Sequence, residues 1–251
     1  MLYDIVIPVK PSEINEDLRY TLRSIAKFGG AYGRVWLAGY KPAWVTNVGF
    51  IPVKQTSGKW ENARLNTLAA CAEPGVSDTF VLFNDDFILT KPVKDWDEAT
   101  NLYLGTLREH GERFRKVGKL DSRWRLGFHF NDELLKRLGV ETPLDYEYHG
   151  PMLYDKKRFP TIFDIGMVKD RRFKYRALLF NRSIYANLYP REGNPKLIKD
   201  SKLNADFETE EELTVNGFFS VYDNAIGNKT EYPKLNAWLE EHLSNSCKFE
   251  F

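Results

Sequence analysis

The run Thr79 to Phe83, TFVLF, passes without a break into Asn84-Asp85-Asp86, and it limits the possible folds more than any other feature of the chain. A segment that is short, apolar on consecutive positions and free of polar alternation reads as a strand buried on both faces, as in the middle of a parallel sheet. Parallel neighbours need helical crossovers, and the preceding residues supply them. Residues 2–9, LYDIVIPV, form a short β-branched run ended by Pro8 and Pro11. Asn15 or Ser12 then caps a helix with Leu18, Leu22 and Ile25 at i, i+4 and i+7, which stops at Gly29-Gly30. Residues 34–38 and 48–53 repeat the strand pattern, a polar loop follows at 55–59, and residues 60–72 place Ala63, Leu65, Leu68, Ala69 and Ala72 at helical spacing before Pro74-Gly75. Strands alternating with helices over residues 1–90 predict an α/β fold with a doubly wound, mostly parallel sheet and flanking helices.

Past residue 100 the pattern loosens into a less regular C-terminal half. Helices are expected over 97–117 and 131–138, another is expected from the acidic turn within 206–222, and a terminal one over 232–244 carries Leu235, Trp238, Leu239 and Leu243 on one side. A chain of 251 residues fits one core. The expectation is a single domain, 1–251, with a regular first half (1–95) and a looser second half (96–251).

Composition excludes several classes. With 43% hydrophobic and 28% charged residues the chain reads as folded and soluble rather than disordered or fibrous. It has no eighteen-residue apolar run and no basic-then-apolar leader, so a cytoplasmic location without membrane contact is expected. Cys71 and Cys247 lie far apart and outside any CxxC or Cys/His cluster, which argues against structural zinc and a disulfide scaffold. The net charge of +1 hides an asymmetry: residues 151–191 hold ten Lys or Arg against three Asp, whereas Glu208, Glu210, Glu211 and Glu212 open an acidic stretch. Phe159, Phe163, Phe173, Tyr175, Phe180, Tyr185 and Tyr189 interleave the basic block. That arrangement fits a surface tracking a polyanion, and it fits core packing under a solvated face equally well.

In an open α/β sheet, ligands bind beyond the carboxyl ends of the strands, which is where Asp85 and Asp86 fall. Two adjacent carboxylates repel unless a cation, an arginine or a shared proton intervenes. A hard divalent ion, Mn2+ or Mg2+, takes such oxygen ligands and would neutralise a departing diphosphate. The plain alternative is a helix cap or a lysine pair. Lys59, Asn62, Arg64 and Asn66, near a helix N-terminus, suit a base, ribose and phosphate. Arg19 and Arg23, one turn apart, could grip a phosphate or simply ladder with Glu16.

These residues resemble known enzymes. The combination of Ala63-Arg64-Leu65-Asn66 with Asp85-Asp86 looks like glycosyltransferase-A (GT-A) enzymes, and NEDLRYTLRS followed by FVLFNDDFIL is similar to the Stealth family of sugar-phosphate transferases. It is more similar still to short bacteriophage glycosyltransferases. Tyr148-His149-Gly150-Pro151 and Phe173-Lys174-Tyr175-Arg176 echo the Stealth segments that contribute a histidine and an arginine. The resemblance implies a GT-A-like fold and a UDP-type nucleotide-sugar donor, with Asp86 and Asp85 as metal ligands. It also implies a nucleotide-sugar-binding half (1–95) and an acceptor-side half (96–251), His149 as a third ligand or a base, and Arg176 among the donor contacts; Asp223 is an alternative base. Ile7-Pro8-Val9-Lys10 stands where Stealth proteins carry an Asp-Gly signature. This departure puts Pro8 and Val9 beside the donor and favours ordinary glycosyl transfer over sugar-phosphate transfer. The phage likeness points to a hydroxymethylated base in DNA, such as 5-hydroxymethylcytosine, as acceptor, reached through residues 151–191. A Stealth-like sugar-phosphate transferase and a non-enzymatic nucleic-acid-binding module are the competing readings.

Overall fold

The computed structural model describes residues 2–56, 58–119, 121–169, 177–222 and 224–251. The chain forms two compact units, one of residues 1–100, 149–156 and 201–251, the other of 101–148 and 157–200. The chain leaves unit 1 after residue 100 and rejoins it at 149–156 and again from 201.

Unit 1 is built on β1 (Asp4–Val9), α1 (Glu16–Phe28), β2 (Val35–Gly39), β3 (Gly49–Pro52), α2 (Lys59–Ala72), β4 (Thr79–Leu82), β5 (Phe87–Leu89) and α3 (Trp96–Ala99). The strands β1 to β4 fall where the apolar runs predict them. The main sheet has the order β3-β2-β1-β4-β7, in which β1 to β4 are parallel and β7 (Met152–Asp155) joins antiparallel at the edge beside β4. Ile5, Val6 and Ile7 of β1, Leu37 and Ala38 of β2, and Phe80 and Val81 of β4 are buried, as expected for central strands covered on both faces. The β1-to-β2 and β3-to-β4 crossovers run in opposite directions across the sheet. Right-handed connection then places α1 and α2 on opposite faces, and the order reverses between β1 and β4.

Asn15 caps α1 by accepting the Leu18 N–H at 3.0 Å, and Leu18, Leu22 and Ile25 form its buried face as the spacing predicts. Thr21 and Ser24 are buried on the same helix, which the apolar pattern did not anticipate. They serve β5, whose one strand partner among the described residues is β9 (Phe218–Ser220). The Leu89 N–H donates to Ser24 Oγ at 3.0 Å, and Thr21 Oγ1 lies 2.8 Å from the Phe87 carbonyl. Main-chain groups on the unpaired edge of β5 are thereby satisfied without a further strand.

Three helix expectations need correction. The helix expected over 97–117 is interrupted after α3: β6 (Leu102–Tyr103) intervenes, Gly105 takes φ +138, and α4 (Leu107–Lys116) restarts on a Thr106/Glu109 capping box. The 131–138 helix is the second half of α5 (Arg123–Arg137), which starts at a Ser122 cap missed in the apolar pattern. Within 206–222 only Glu210–Thr214 is helical, because Gly217 at φ +79 turns the chain into β9. The terminal helix, Pro233–Leu243, forms as expected and packs Leu235, Trp238 and Leu239 with Phe219 and Val221. In unit 2, β6 pairs in parallel with β8 (Lys196–Leu197), while Leu107, Phe128, Leu135 and Phe180 make a local core. No described helix is long and apolar enough to cross a membrane.

Candidate active site at the carboxyl edge of the sheet

Asp85 and Asp86 are the central residues of a turn between β4 and β5, closed by the Phe87 N–H on the Asn84 carbonyl at 3.3 Å. The Phe83 N–H donates to the Val6 carbonyl at 2.8 Å, which holds the start of this turn against β1 at the point where strand order reverses. Each carboxylate meets one neighbouring donor. Asn15 Nδ2 donates to Asp85 Oδ2 at 3.1 Å, and Ser220 Oγ donates to Asp86 Oδ2 at 2.6 Å. Among the described residues neither Oδ1 atom takes a hydrogen bond. The Thr21 hydroxyl, 2.9 Å from the Asp85 carbonyl, ties down the backbone of the same turn. Burial, and after it the charge of Asp86, pushes the Asp85 carboxyl up to about 7 despite the Asn15 hydrogen bond. Two adjacent acids repel each other unless a cation, an arginine or a shared proton offsets their charge.

β7 brings His149 to the same end. Its antiparallel register sets Met152 opposite Leu82, so residues 149–151 lie at the carboxyl edge of β4. Gly150 fits there because it lacks a side chain: a Cβ would stand 2.1 Å from the Phe218 ring. His149, Asp85 and Asp86 are nevertheless not gathered as a metal-ligand group, since no cluster of three or more His, Cys, Asp or Glu suited to an ion occurs among the described residues. Asp223 and Arg176 lie outside the described residues. Asp145, Glu147 and Tyr148, the polar flank of His149 in sequence, belong to unit 2. There Asp145 meets His110 Nδ1 at 2.6 Å and Glu147 accepts the Ser183 N–H at 3.0 Å.

Along the same edge, Pro8 and Val9 end β1 beside Ala38 and Gly39 of β2. Gly39 has φ +109, and a Cβ there would meet Gln55 Nε2, the Val9 carbonyl and Asn66 Nδ2 within 2.8 Å. Asn66 is buried and accepts from Gln55 Nε2 at 3.2 Å, while Gln55 Oε1 is buried without a partner among the described residues. Asn62 bonds Thr56 on both its N–H and its carbonyl and so shapes the loop before α2. Arg64 pairs with Glu61, and the Lys59 ammonium sits 5.2 Å from the Trp60 ring centre. Thus Pro8, Val9 and Asn66 converge at the sheet edge, and Asn62 shapes the adjoining loop.

Arg19 and Arg23 do not present a phosphate grip. Arg19 bonds Glu16 and Glu250, and Arg23 bonds both Glu250 oxygens and the carbonyls of Leu243 and Ser244. Both guanidinium groups are thus taken up by the segment 243–250. The basic segment is likewise largely engaged where it is described. Lys156 donates to the Glu73 and Val76 carbonyls and Arg182 to that of Tyr146. Phe159, Phe180 and Tyr185 are buried. Phe173, Tyr175 and the cations between 170 and 176 lie outside the described residues. Sequence reading passed over Ser220 and Thr21 and took Asn15 for a cap alone, since only the β5–β9 pairing and the docking of α1 bring them to the acids.

No family model matches the chain, and no curated protein matches it in sequence. Solved structures do. An active-site mutant of LgtC is 12% identical with a TM-score of 0.53, and the galactosyltransferase LgtC in complex with donor and acceptor sugar analogues is 12% identical with a TM-score of 0.51. Both alignments cover 98% of each chain. The apo glycosyltransferase GlyE of Streptococcus pneumoniae is 14% identical over 79% of this chain with a TM-score of 0.40, and this chain spans 45% of its length. The likeness to LgtC shows that the chain has a GT-A-type α/β fold.

Proposed function

We propose that the protein is a metal-dependent glycosyltransferase that moves a sugar from a UDP-type nucleotide-sugar to a hydroxyl acceptor at the carboxyl edge between β1 and β4. The observation that carries this reading is the acidic turn at the strand-order reversal. Two adjacent carboxylates each have one oxygen held by a protein donor, and among the described residues the other takes no hydrogen bond. Such a pair fits a hard divalent cation, which takes oxygen ligands and would offset the burial and the Asp86 charge that raise Asp85. Mn2+ or Mg2+, when bound, supplies positive charge to the leaving diphosphate. The GT-A-type fold supports the donor class, because that fold accommodates a nucleotide-sugar at this edge.

In this reading the edge formed by Val9, Gly39, Gln55 and Asn66 receives the nucleotide, and the orphaned Gln55 Oε1 offers an acceptor for an N–H of the base. His149 takes the proton of the acceptor hydroxyl as its oxygen bonds the sugar carbon and the bond to the diphosphate breaks. The missing Asp-Gly at Pro8-Val9 favours transfer of the sugar alone.

The test is thermal-shift screening with nucleotide-sugars and Mn2+, followed by hydrolysis and transfer assays with the donor that stabilises the protein. Asp86→Asn is expected to lower turnover by about two orders of magnitude or more while the protein stays folded. Full turnover in that variant, or in the presence of a chelator, would refute the metal-dependent mechanism. Product mass separates sugar transfer from sugar-phosphate transfer. DNA with and without 5-hydroxymethylcytosine forms the acceptor arm, and steep salt-dependent DNA binding indifferent to Asp85 and Asp86 would favour the non-enzymatic reading.

A further inference from the structure

We infer that Asn15 and Ser220 are positioning residues that aim the carboxylate pair at a divalent cation; the inference rests on the proposed metal-dependent reading. They approach the turn from different elements, Asn15 from the head of α1, 70 residues before Asp85, and Ser220 from β9, 134 residues after Asp86. Both are buried, so their orientations are set by packing rather than by solvent.

The Asn15 amide has a defined sense. Its Oδ1 accepts the Leu18 N–H at 3.0 Å as the helix cap, which turns Nδ2 toward Asp85. A capping asparagine therefore does two things with its two ends: it starts the helix and holds Oδ2 of the acid. Ser220 reaches Asp86 in a comparable way. It sits in register with Phe87 across the β5–β9 ladder, the Val221 N–H holds the Asp86 carbonyl at 3.1 Å, and its hydroxyl holds Asp86 Oδ2.

Each acid has one oxygen so engaged, and the other, which takes no hydrogen bond among the described residues, is left for an ion. Thr21 fixes the backbone of the turn from a third direction. Partners of this kind fix the rotamers of ligating groups, and their removal typically weakens metal affinity about 10–100-fold. The sequence pattern marks Asn15 only as a helix cap and does not mark Ser220, because the two meet the acids only in the folded chain.

The test separates the two ends of Asn15. Asn15→Ser keeps a capping oxygen but lacks the amide donor, and Asn15→Ala loses both. Mn2+ binding to each full-length variant without donor, followed by the EPR signal of free Mn2+, is expected to weaken by at least about 10-fold in both. The melting temperature should fall, by about 2–4 °C, only in Asn15→Ala. Ser220→Ala should weaken Mn2+ binding to a similar extent. In turnover assays the Mn2+ concentration for half-activation should rise in Asn15→Ser, with kcat at saturating Mn2+ largely kept. Wild-type Mn2+ affinity in Asn15→Ser and Ser220→Ala, alongside clear binding by the parent protein, overturns this inference alone. Absence of Mn2+ binding by the parent protein overturns the metal-dependent reading and this inference together.

Discussion

Replacing Glu250 by glutamine removes the charge that two arginines of α1 enclose. Its carboxylate accepts from Arg23 Nε at 2.8 Å and Nη2 at 2.9 Å, from Arg19 Nη1 at 2.6 Å and from the Cys247 N–H at 3.2 Å. The Glu250 side chain is 4% exposed, and those of Arg19 and Arg23 are 26% and 13% exposed. Burial pushes the carboxyl up, but the hydrogen bonds from Arg23 and Arg19 outweigh it and bring it from 4.5 down to about 2. Linkage at about 1.4 kcal/mol per unit gives a gross contribution of about 3 kcal/mol, which partial hydration of the arginines reduces to about 2. The folded state holds the lower pKa, so this stability is complete above pH 4.5 and is lost as pH falls through 2. Glu250→Gln should therefore lower the melting temperature by about 4–8 °C at pH 7. Urea unfolding of both proteins at pH 7 and about pH 3 measures the gap at each, and more than half of it should have closed at the lower pH. A gap of equal size at both pH values, or one below about 0.5 kcal/mol at pH 7, would show that the arginine pair is not organised around this carboxylate.

Asp85 predicts the opposite trend. Burial and the charge of Asp86 raise its carboxyl to about 7, so the metal-free protein loses stability as pH rises from about 4 to 7. Asp85→Asn should stabilise it by on the order of 2 kcal/mol at pH 8 and scarcely at pH 4, as checked by paired thermal melts without metal. Gly39→Ala introduces a side chain at φ +109 against the Val9 carbonyl and should cost about 2–3 kcal/mol in urea unfolding, whereas a cost near zero would mean that this edge has room to yield. Burial pushes the Cys71 thiol up to about 12, so a thiol reagent at pH 8 should leave it unmodified in the native protein and modify it in denaturant.

The parallel sheet was legible because its central strands β1 and β2 are buried on both faces and betray themselves as unbroken apolar runs. The Asp85-Asp86 turn was legible because it follows directly from such a run. What sequence could not reveal depends on pairing across long separations. The segment Phe87–Leu89 reads as a continuation of β4 until β9 claims it, and Gly217 turns the chain in a stretch whose acidic residues favour a helix. The same physics misdirected the Arg19 and Arg23 reading. Two cations one turn apart look alike whether they face a phosphate or a glutamate 227 residues away from Arg23. The predicted helix over 97–117 failed for a local reason, since Gly105 and the Thr106 cap were overlooked inside an otherwise periodic stretch.

The late arrival of β7 and β9 has a consequence for synthesis. When the first hundred residues have left the ribosome, β4 has β1 on one side and an open edge on the other, and β5 has no ladder partner. The closing strand for β4 follows some fifty residues later, and that for β5 well over a hundred, so a nascent chain must keep hydrophobic edges from neighbouring polypeptides meanwhile. A fragment ended at Thr100 would preserve this exposed stage permanently and is expected to aggregate, although it contains both acids.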